Sequence, residues 1–198
     1  SHVAVSFKNP LYTTQTSTVG PLTILEAVKN SDKQIKYYQA SSSEMFGGID
    51  SNSLNEESKF VPKSPYAAGK LFAHEMTKIY RDSYDIFAVN GILFNHESPR
   101  RGETFVTKKI VNGLDEIKRG YEDCLYLGNL NAKRDWGHAK DYVEMQWRIL
   151  QQKKPEDFIV ATGQTQSVRN FINTAAKILN MKLIWQGKGL NEKCYLIN

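Results

Sequence analysis

Two short runs hold the residue types that could carry out proton chemistry together. The first is Tyr66-Ala67-Ala68-Gly69-Lys70, a tyrosine and a lysine four residues apart. On a helix that spacing sets both side chains on one face. A lysine ammonium beside a phenol stabilises the phenolate, so a tyrosine placed this way can act as a general base near neutral pH. The second run is Ser41-Ser42-Ser43-Glu44. The Ser42 hydroxyl could bond the same substrate oxygen as Tyr66, and the Glu44 carboxylate could act on a neighbouring carbon. Each run alone has a plain reading: a surface aromatic beside a solvated lysine, or a serine-rich turn. Hydroxyl, carboxylate, phenol and ammonium in this order are harder to dismiss.

The surrounding pattern supplies the elements that must hold these groups. Helices are predicted over residues 12–30, 65–84, 104–119, 138–152 and 168–179, and strands over 34–41, 86–94, 124–127, 158–161 and 182–185. The Ser64-Pro65 pair marks a helix start, as an N-cap followed by proline in the first helical position. Within that helix Ala68, Phe72, Met76 and Ile79 form an apolar stripe expected to face the core, with Tyr66 and Lys70 projecting roughly opposite. Trp136 and Tyr142 read as core aromatics. Residues 47–63 are polar and turn-rich, hence a loop. Strands alternating with helices argue for an α/β fold with a mostly parallel sheet. The Ser41–Glu44 run then falls at a strand's carboxyl end, where such sheets bind ligands. The glycine fingerprint that opens a dinucleotide-binding domain does not occur anywhere in the chain.

Composition narrows the classes. The chain has 198 residues, of which 40% are hydrophobic. That is enough to bury one globular core. No run approaches the roughly 20 apolar residues of a membrane span, so no membrane role is expected. No N-terminal basic-apolar pattern marks a leader. The two cysteines, Cys124 and Cys194, form neither a disulfide framework nor a metal-ligand spacing, which fits a reducing, cytoplasmic compartment. A net charge of +5 raises the question of nucleic acid. The basic residues are scattered, however, whereas a nucleic-acid binder gathers them on one helix or arm. Small phosphate-bearing ligands suit scattered arginines better.

The sequence resembles the extended short-chain dehydrogenase/reductases and, within them, the GDP-mannose 4,6-dehydratase family. The resemblance is carried by residues 1–7 (SHVAVSF), 38–44 (YQASSSE), 64–70 (SPYAAGK), 90–102 (NGILFNHESPRRG) and 134–142 (RDWGHAKDY). It implies an NAD(P)-binding Rossmann-like parallel sheet, incomplete at the N-terminus, with part of a C-terminal substrate domain. Residues 1–95 would be the later part of the Rossmann-like half with the catalytic residues. Residues 96–198 would be mixed, with part of the sugar-nucleotide-binding portion. The implied reaction is a hydro-lyase conversion of GDP-mannose to GDP-4-dehydro-6-deoxy-mannose and water, the first step toward GDP-fucose and other GDP-deoxyhexoses. NADP is the implied cofactor, moving hydride internally from C4 to C6.

The same resemblance implies roles residue by residue. Tyr66 takes the proton from the hexose 4-hydroxyl, with Ser42, where the family usually has threonine, bonding the same oxygen. Glu44 removes the C5 proton once C4 is a ketone. Lys70 bonds the nicotinamide ribose and tunes Tyr66. Ser1, Tyr12, His96 and Arg101 match positions near the cofactor. Asn95, Lys109 and Arg134 match positions that hold the GDP portion, where arginine's planar fork suits a diphosphate. Without the family, His96 reads as a hydrogen-bonded loop histidine and the cations as surface charge. Because the family pattern extends beyond both ends, the chain is expected to be an internal segment. On its own such a segment would turn over weakly or not at all. The full-length protein is expected to be a homodimer or homotetramer. Competing readings are a sugar-nucleotide epimerase or GDP-sugar reductase, Glu44 speaking against simple epimerisation, and a segment that only binds nucleotide or a partner subunit.

Overall fold

The computed structural model describes residues 3–48 and 53–197. The chain begins with three helices, α1 (Val3–Lys8), α2 (Pro10–Ser17) and α3 (Val19–Lys29). Strand β1 (Tyr37–Ser42) follows and runs into a single 3₁₀ turn (Ser43–Phe46). Then come α4 (Pro65–Tyr84), β2 (Ala88–Leu93), β3 (Asn95–Glu97), α5 (Val106–Lys118), β4 (Lys133–His138) and α6 (Ala139–Leu150). The last elements are β5 (Asp157–Val160), β6 (Thr165–Ser167), α7 (Val168–Ile178), β7 (Lys182–Gln186) and β8 (Lys193–Ile197). Two compact units result: Ser1–His96 with Gly137–Ala161, and Glu97–Trp136 with Thr162–Asn198.

The first unit is built on a parallel sheet of order β1-β2-β5. Every residue of β2 is buried, as expected for a central parallel strand covered on both faces. Alternate side chains serve opposite faces. Val89 and Leu93 pack with Tyr142 and Ile149 of α6, whereas Ile92 packs with Met45 and Phe46 of the 3₁₀ turn. Asn90, on the same face as Ile92, meets His74 of α4. Gly91 has no side chain for a physical reason: a Cβ there would run into the Tyr38 hydroxyl. The second unit joins α5 and α7 around Ile110, Leu114, Val168 and Ile172, with Trp136 partly buried against them. It carries the antiparallel pair β7-β8, and Lys133–Asp135 of β4 run antiparallel to β6.

Three expectations need correction. The helix expected over 12–30 is two helices meeting at Thr18, because Pro21 has no N–H to give to the carbonyl four residues back. No strand forms over 124–127; Leu125 and Leu127 pack on the second unit's core, and the Tyr126 carbonyl accepts from Lys109 Nζ at 2.7 Å instead of a strand. The stripe expected to bury α4 is its outer side. Ala68 is exposed, Phe72 is 40% and Ile79 49% exposed, and Met76 is half-buried. The buried face runs through Tyr66, Ala67, Gly69, Ala73, His74, Thr77 and Tyr80. Small residues let α2 and the strands come close. A Cβ on Gly69 would sit 2.7 Å from Ser17 Cβ. Tyr66 and Lys70 thus lie on or beside the packed side. Among the described residues no helix is long and apolar enough to cross a membrane.

Candidate active site

The carboxyl end of β1 is fixed by its parallel register with β2, which sets Ser41 opposite Ile92 and Ser42 opposite Leu93. Ser42 is buried, and its Oγ accepts from the Glu44 backbone N–H at 3.3 Å. That bond caps the 3₁₀ turn. The turn is anchored by Met45 and Phe46, which are fully buried, so Glu44 is held half-buried just beyond the strand end. Gly47 ends the turn with a positive φ of 64°, where a Cβ would strike the Val61 carbonyl oxygen; only glycine takes that conformation without strain. Strand, turn and loop therefore leave Ser42 and Glu44 little freedom.

Helix α4 brings the second pair. Ser64 Oγ accepts from Ala67 N–H at 3.1 Å, and Pro65 pre-sets the first helical φ. Tyr66 enters at the first turn and is 9% exposed. Lys70 Nζ donates to the Ala40 carbonyl at 2.9 Å and lies 5.8 Å from the Tyr66 ring centroid. Burial pushes the Lys70 ammonium below its usual pKa, since a low-dielectric surrounding disfavours the charged form. The Ala40 bond ties the lysine to the strand two residues before Ser42, so α4 and the end of β1 share one cation. An ammonium carries three donors, and with one spent on Ala40 it can still serve a ribose hydroxyl. A phenol, a hydroxyl and a desolvated ammonium gathered at the carboxyl end of a parallel sheet fit the nicotinamide-ribose end of a dinucleotide.

The remaining sequence-selected residues are placed as follows. Tyr12 stands exposed in the first turn of α2, whose N-cap Asn9 accepts from its backbone N–H. Ser1 lies outside the described residues. Asn95 and His96 are half-buried in β3. The His96 ring stacks on Tyr142 at 4.8 Å, and its Nδ1 is 2.9 Å from the Phe94 carbonyl. A carbonyl only accepts, which makes Nδ1 the donor. In the second unit Arg101 is held by Glu97, 3.1 Å from Nε, and by the Phe105 ring 3.6 Å from its guanidinium carbon. Lys109 donates to the Tyr126 carbonyl, and Arg134 is exposed with NH1 on the Lys133 carbonyl at 2.8 Å. Beside it Asp135 is buried and accepts from Thr162 and Gly163, fixing the turn after β5.

Sequence reasoning passed over one constellation. Ser41, His74, Asn90 and Asp157 form a buried polar cluster behind the strand end. Its signal was present in the sequence: a histidine on the small-residue face of α4, and an asparagine inside the apolar run of β2. Among the described residues no group of three or more His, Cys, Asp or Glu side chains could hold a metal ion.

The parallel sheet with helices packed on it, and polar side chains at the carboxyl end of its first strand, define a class, the Rossmann-like α/β domains. RMD from Pseudomonas aeruginosa, complexed with NADPH, superposes with a TM-score of 0.85 at 24% identity, over 91% of this chain and 63% of that one. DesIV, a dTDP-glucose 4,6-dehydratase from Streptomyces venezuelae with NAD and TYD bound, gives 0.79 at 23% identity, over 91% and 55%. The family pattern described as GDP-mannose 4,6 dehydratase matches residues 1–196, and the chain belongs to that family. It is 54% identical over 195 residues to the GDP-mannose 4,6-dehydratase of Vibrio cholerae and 48% identical over 194 residues to that of Homo sapiens. These matches cover 98% and 97% of this chain, which spans about half the length of each relative, 52% in both cases.

Proposed function

We propose that this chain carries the catalytic set of a GDP-mannose 4,6-dehydratase, which removes water from the hexose of GDP-mannose to leave GDP-4-dehydro-6-deoxy-mannose. The observation that supports this most directly is the shared cation: Lys70 ties the Tyr66 helix to the strand that ends in Ser42 and Glu44. High identity to named dehydratases over nearly the whole chain supports the same reading.

In this reading Tyr66 accepts the proton of the 4-hydroxyl, with Ser42 hydrogen-bonded to the same oxygen. Lys70 stabilises the phenolate electrostatically and bonds the nicotinamide ribose. NADP, when bound, would supply the hydride acceptor at C4 and the hydride donor at C6. The C4 ketone acidifies the C5 proton, and Glu44 takes it. The resulting carboxylic acid then supplies the proton with which the C6 hydroxyl departs as water, so one side chain serves as base and acid in turn. C5 then takes a proton from solvent and Tyr66 gives up the one it accepted, so the side chains end as they began. Elimination sets this reaction apart from simple epimerisation at C4, which has no use for a C5 base. The family resemblance assigns Tyr12, His96, Arg101 and Ser1 to the cofactor. The same resemblance assigns Asn95, Lys109 and Arg134 to the GDP portion, where cations suit a diphosphate. Residues 1–95 supply the catalytic set, and residues 96–198 supply part of the sugar-nucleotide site.

The protein works in the cytoplasm as a homodimer or homotetramer. Exposed Leu11, Phe72 and Ile79 supply apolar area of the kind a subunit contact covers. The test is incubation of the full-length protein with GDP-mannose and NADP. A product lighter by one water, with solvent hydrogen at C5, is expected. Recovery of an isomer of unchanged mass would refute the reading in favour of an epimerase.

A further inference from the structure

Ser41, His74, Asn90 and Asp157 join β1, β2, β5 and α4 in a cluster whose protons can be assigned from geometry alone. Ser41 is 3%, His74 1% and Asn90 0% exposed. Each polar atom therefore depends on its neighbours for hydrogen bonds. Asn90 Nδ2 lies 3.2 Å from the His74 carbonyl and 2.9 Å from Asp157 Oδ1. Both are acceptors: a carbonyl cannot donate, and Asp157 Oδ1 also accepts from Arg81 NH1 at 2.8 Å. Asn90 must present its amide nitrogen to these two and its Oδ1 to Ser41 Oγ, 3.1 Å away. An amide oxygen cannot donate, so the Ser41 hydroxyl proton points at Asn90. The Ser41 oxygen is left as an acceptor 3.1 Å from His74 Nδ1. His74 Nδ1 then carries a proton and donates to Ser41. Its Nε2 faces Asp157 Oδ2 at 3.6 Å, while the edge of the Phe60 ring packs against the imidazole.

We propose that His74 is a positioning residue, whose Nδ1–H, aimed at Ser41 by Asn90, locks α4 to the end of β1 and keeps Tyr66 and Lys70 in register with Ser42 and Glu44. The proposal rests on the dehydratase reading for what the register serves, though not for the proton assignment. The linkage is short. His74 lies on the buried face of α4, one helical turn beyond Lys70 and two beyond Tyr66. Ser41 is the residue before Ser42. The helix is held twice at one residue, since the His74 carbonyl accepts from Asn90 while the His74 ring donates to Ser41. An apolar side chain of similar volume would fill the space and keep the Asn90 bond to the backbone carbonyl, but it would remove the bond from α4 to Ser41 and loosen the register of the helix against the end of β1. A shift of about 1 Å at reacting groups costs about 10²-fold in rate, so a small loss of register is enough to matter.

Long-range proton–nitrogen NMR on full-length protein labelled with ¹⁵N-histidine reads the tautomer, the His74 signals being identified by their loss in His74→Phe. Nδ1–H is expected; a neutral ring protonated at Nε2 overturns the assignment and the proposal with it. His74→Phe removes the donor. His74→Asn keeps one, because its amide nitrogen falls close to the place of Nδ1. For variants with wild-type circular dichroism, His74→Phe should lower kcat for GDP-mannose about tenfold with KM within about twofold, and His74→Asn should restore most of it. Amide hydrogen exchange over residues 66–74 should speed up in His74→Phe and recover in His74→Asn. If exchange is unchanged in His74→Phe, or if Asn is no better than Phe, the lock does not exist. If wild-type protein shows no dehydration while tautomer and exchange behave as stated, the dehydratase reading fails and the lock stands.

Discussion

Replacing Lys70 by methionine separates the electrostatic role of the lysine from its structural cost. The ammonium lies 5.8 Å from the Tyr66 ring centroid. A unit charge at that distance is worth about 0.7 kcal/mol at the dielectric of water and about 3 kcal/mol at an effective value near 20. At about 1.4 kcal/mol per pH unit, the rise of activity with pH should move up by about 0.5–2 units in Lys70→Met. Near neutral pH that corresponds to a rate loss of roughly 3- to 100-fold. Stability should move the other way. Burial lowers the pKa of Lys70 from the lysine's usual 10.5. As pH falls through that value the unfolded chain takes up its proton first, and stability declines to a lower plateau. At neutral pH the charged lysine is therefore a net cost. Methionine removes it, and the exposed Ala40 carbonyl turns to water. The assays are a pH–rate profile on full-length protein and a thermal melt at neutral pH. An unchanged pH profile would refute the electrostatic role and leave Lys70 only a ribose contact. A lowered melting temperature would refute the burial argument.

Other perturbations test neighbouring parts of the site and fold. Tyr66→Phe keeps the ring but removes the proton acceptor, and should cost about 10²–10⁴-fold in kcat, read by product formation. Glu44→Gln keeps shape and hydrogen bonding but cannot take the C5 proton. Water loss should fall by at least about 10²-fold and solvent deuterium should no longer enter C5; near-normal 6-deoxy product would remove Glu44 as the base. Burial holds His74 below its usual 6.5 although Asp157 pulls the other way. The unfolded chain thus binds the proton first, so urea stability should decline as pH falls below about 6.5, and that decline should be absent in His74→Phe. Gly91→Ala drives a methyl into Tyr38. It should destabilise by about 1–3 kcal/mol in urea melts, a loss that Tyr38→Leu in the same chain should lessen.

How much the sequence determined differs from element to element. The Ser64-Pro65 start of α4 was legible because capping is local: a hydroxyl, a proline and the next three residues decide it. The ends of β1 and β2 and the helical spacing of Tyr66 and Lys70 were legible for the same reason. Strands β3, β4, β6 and β8 were not. Segments such as Asn95–Glu97 and Thr165–Ser167 are short and polar, and they become strands only because a neighbour supplies hydrogen bonds. The buried face of α4 was misread for a related reason. Phe72, Met76 and Ile79 make the more hydrophobic stripe, yet close packing against β1, β2 and α2 demands small side chains, which Ala67, Gly69 and Ala73 provide. The histidine cluster lay furthest out of reach. Ser41, His74, Asn90 and Asp157 come from four elements spread over more than a hundred positions, and no sequence pattern records that one proton has a single place to go. Hydrogen-bond satisfaction is a property of the folded interior, where water is excluded and every donor must find its acceptor among residues the chain brings together.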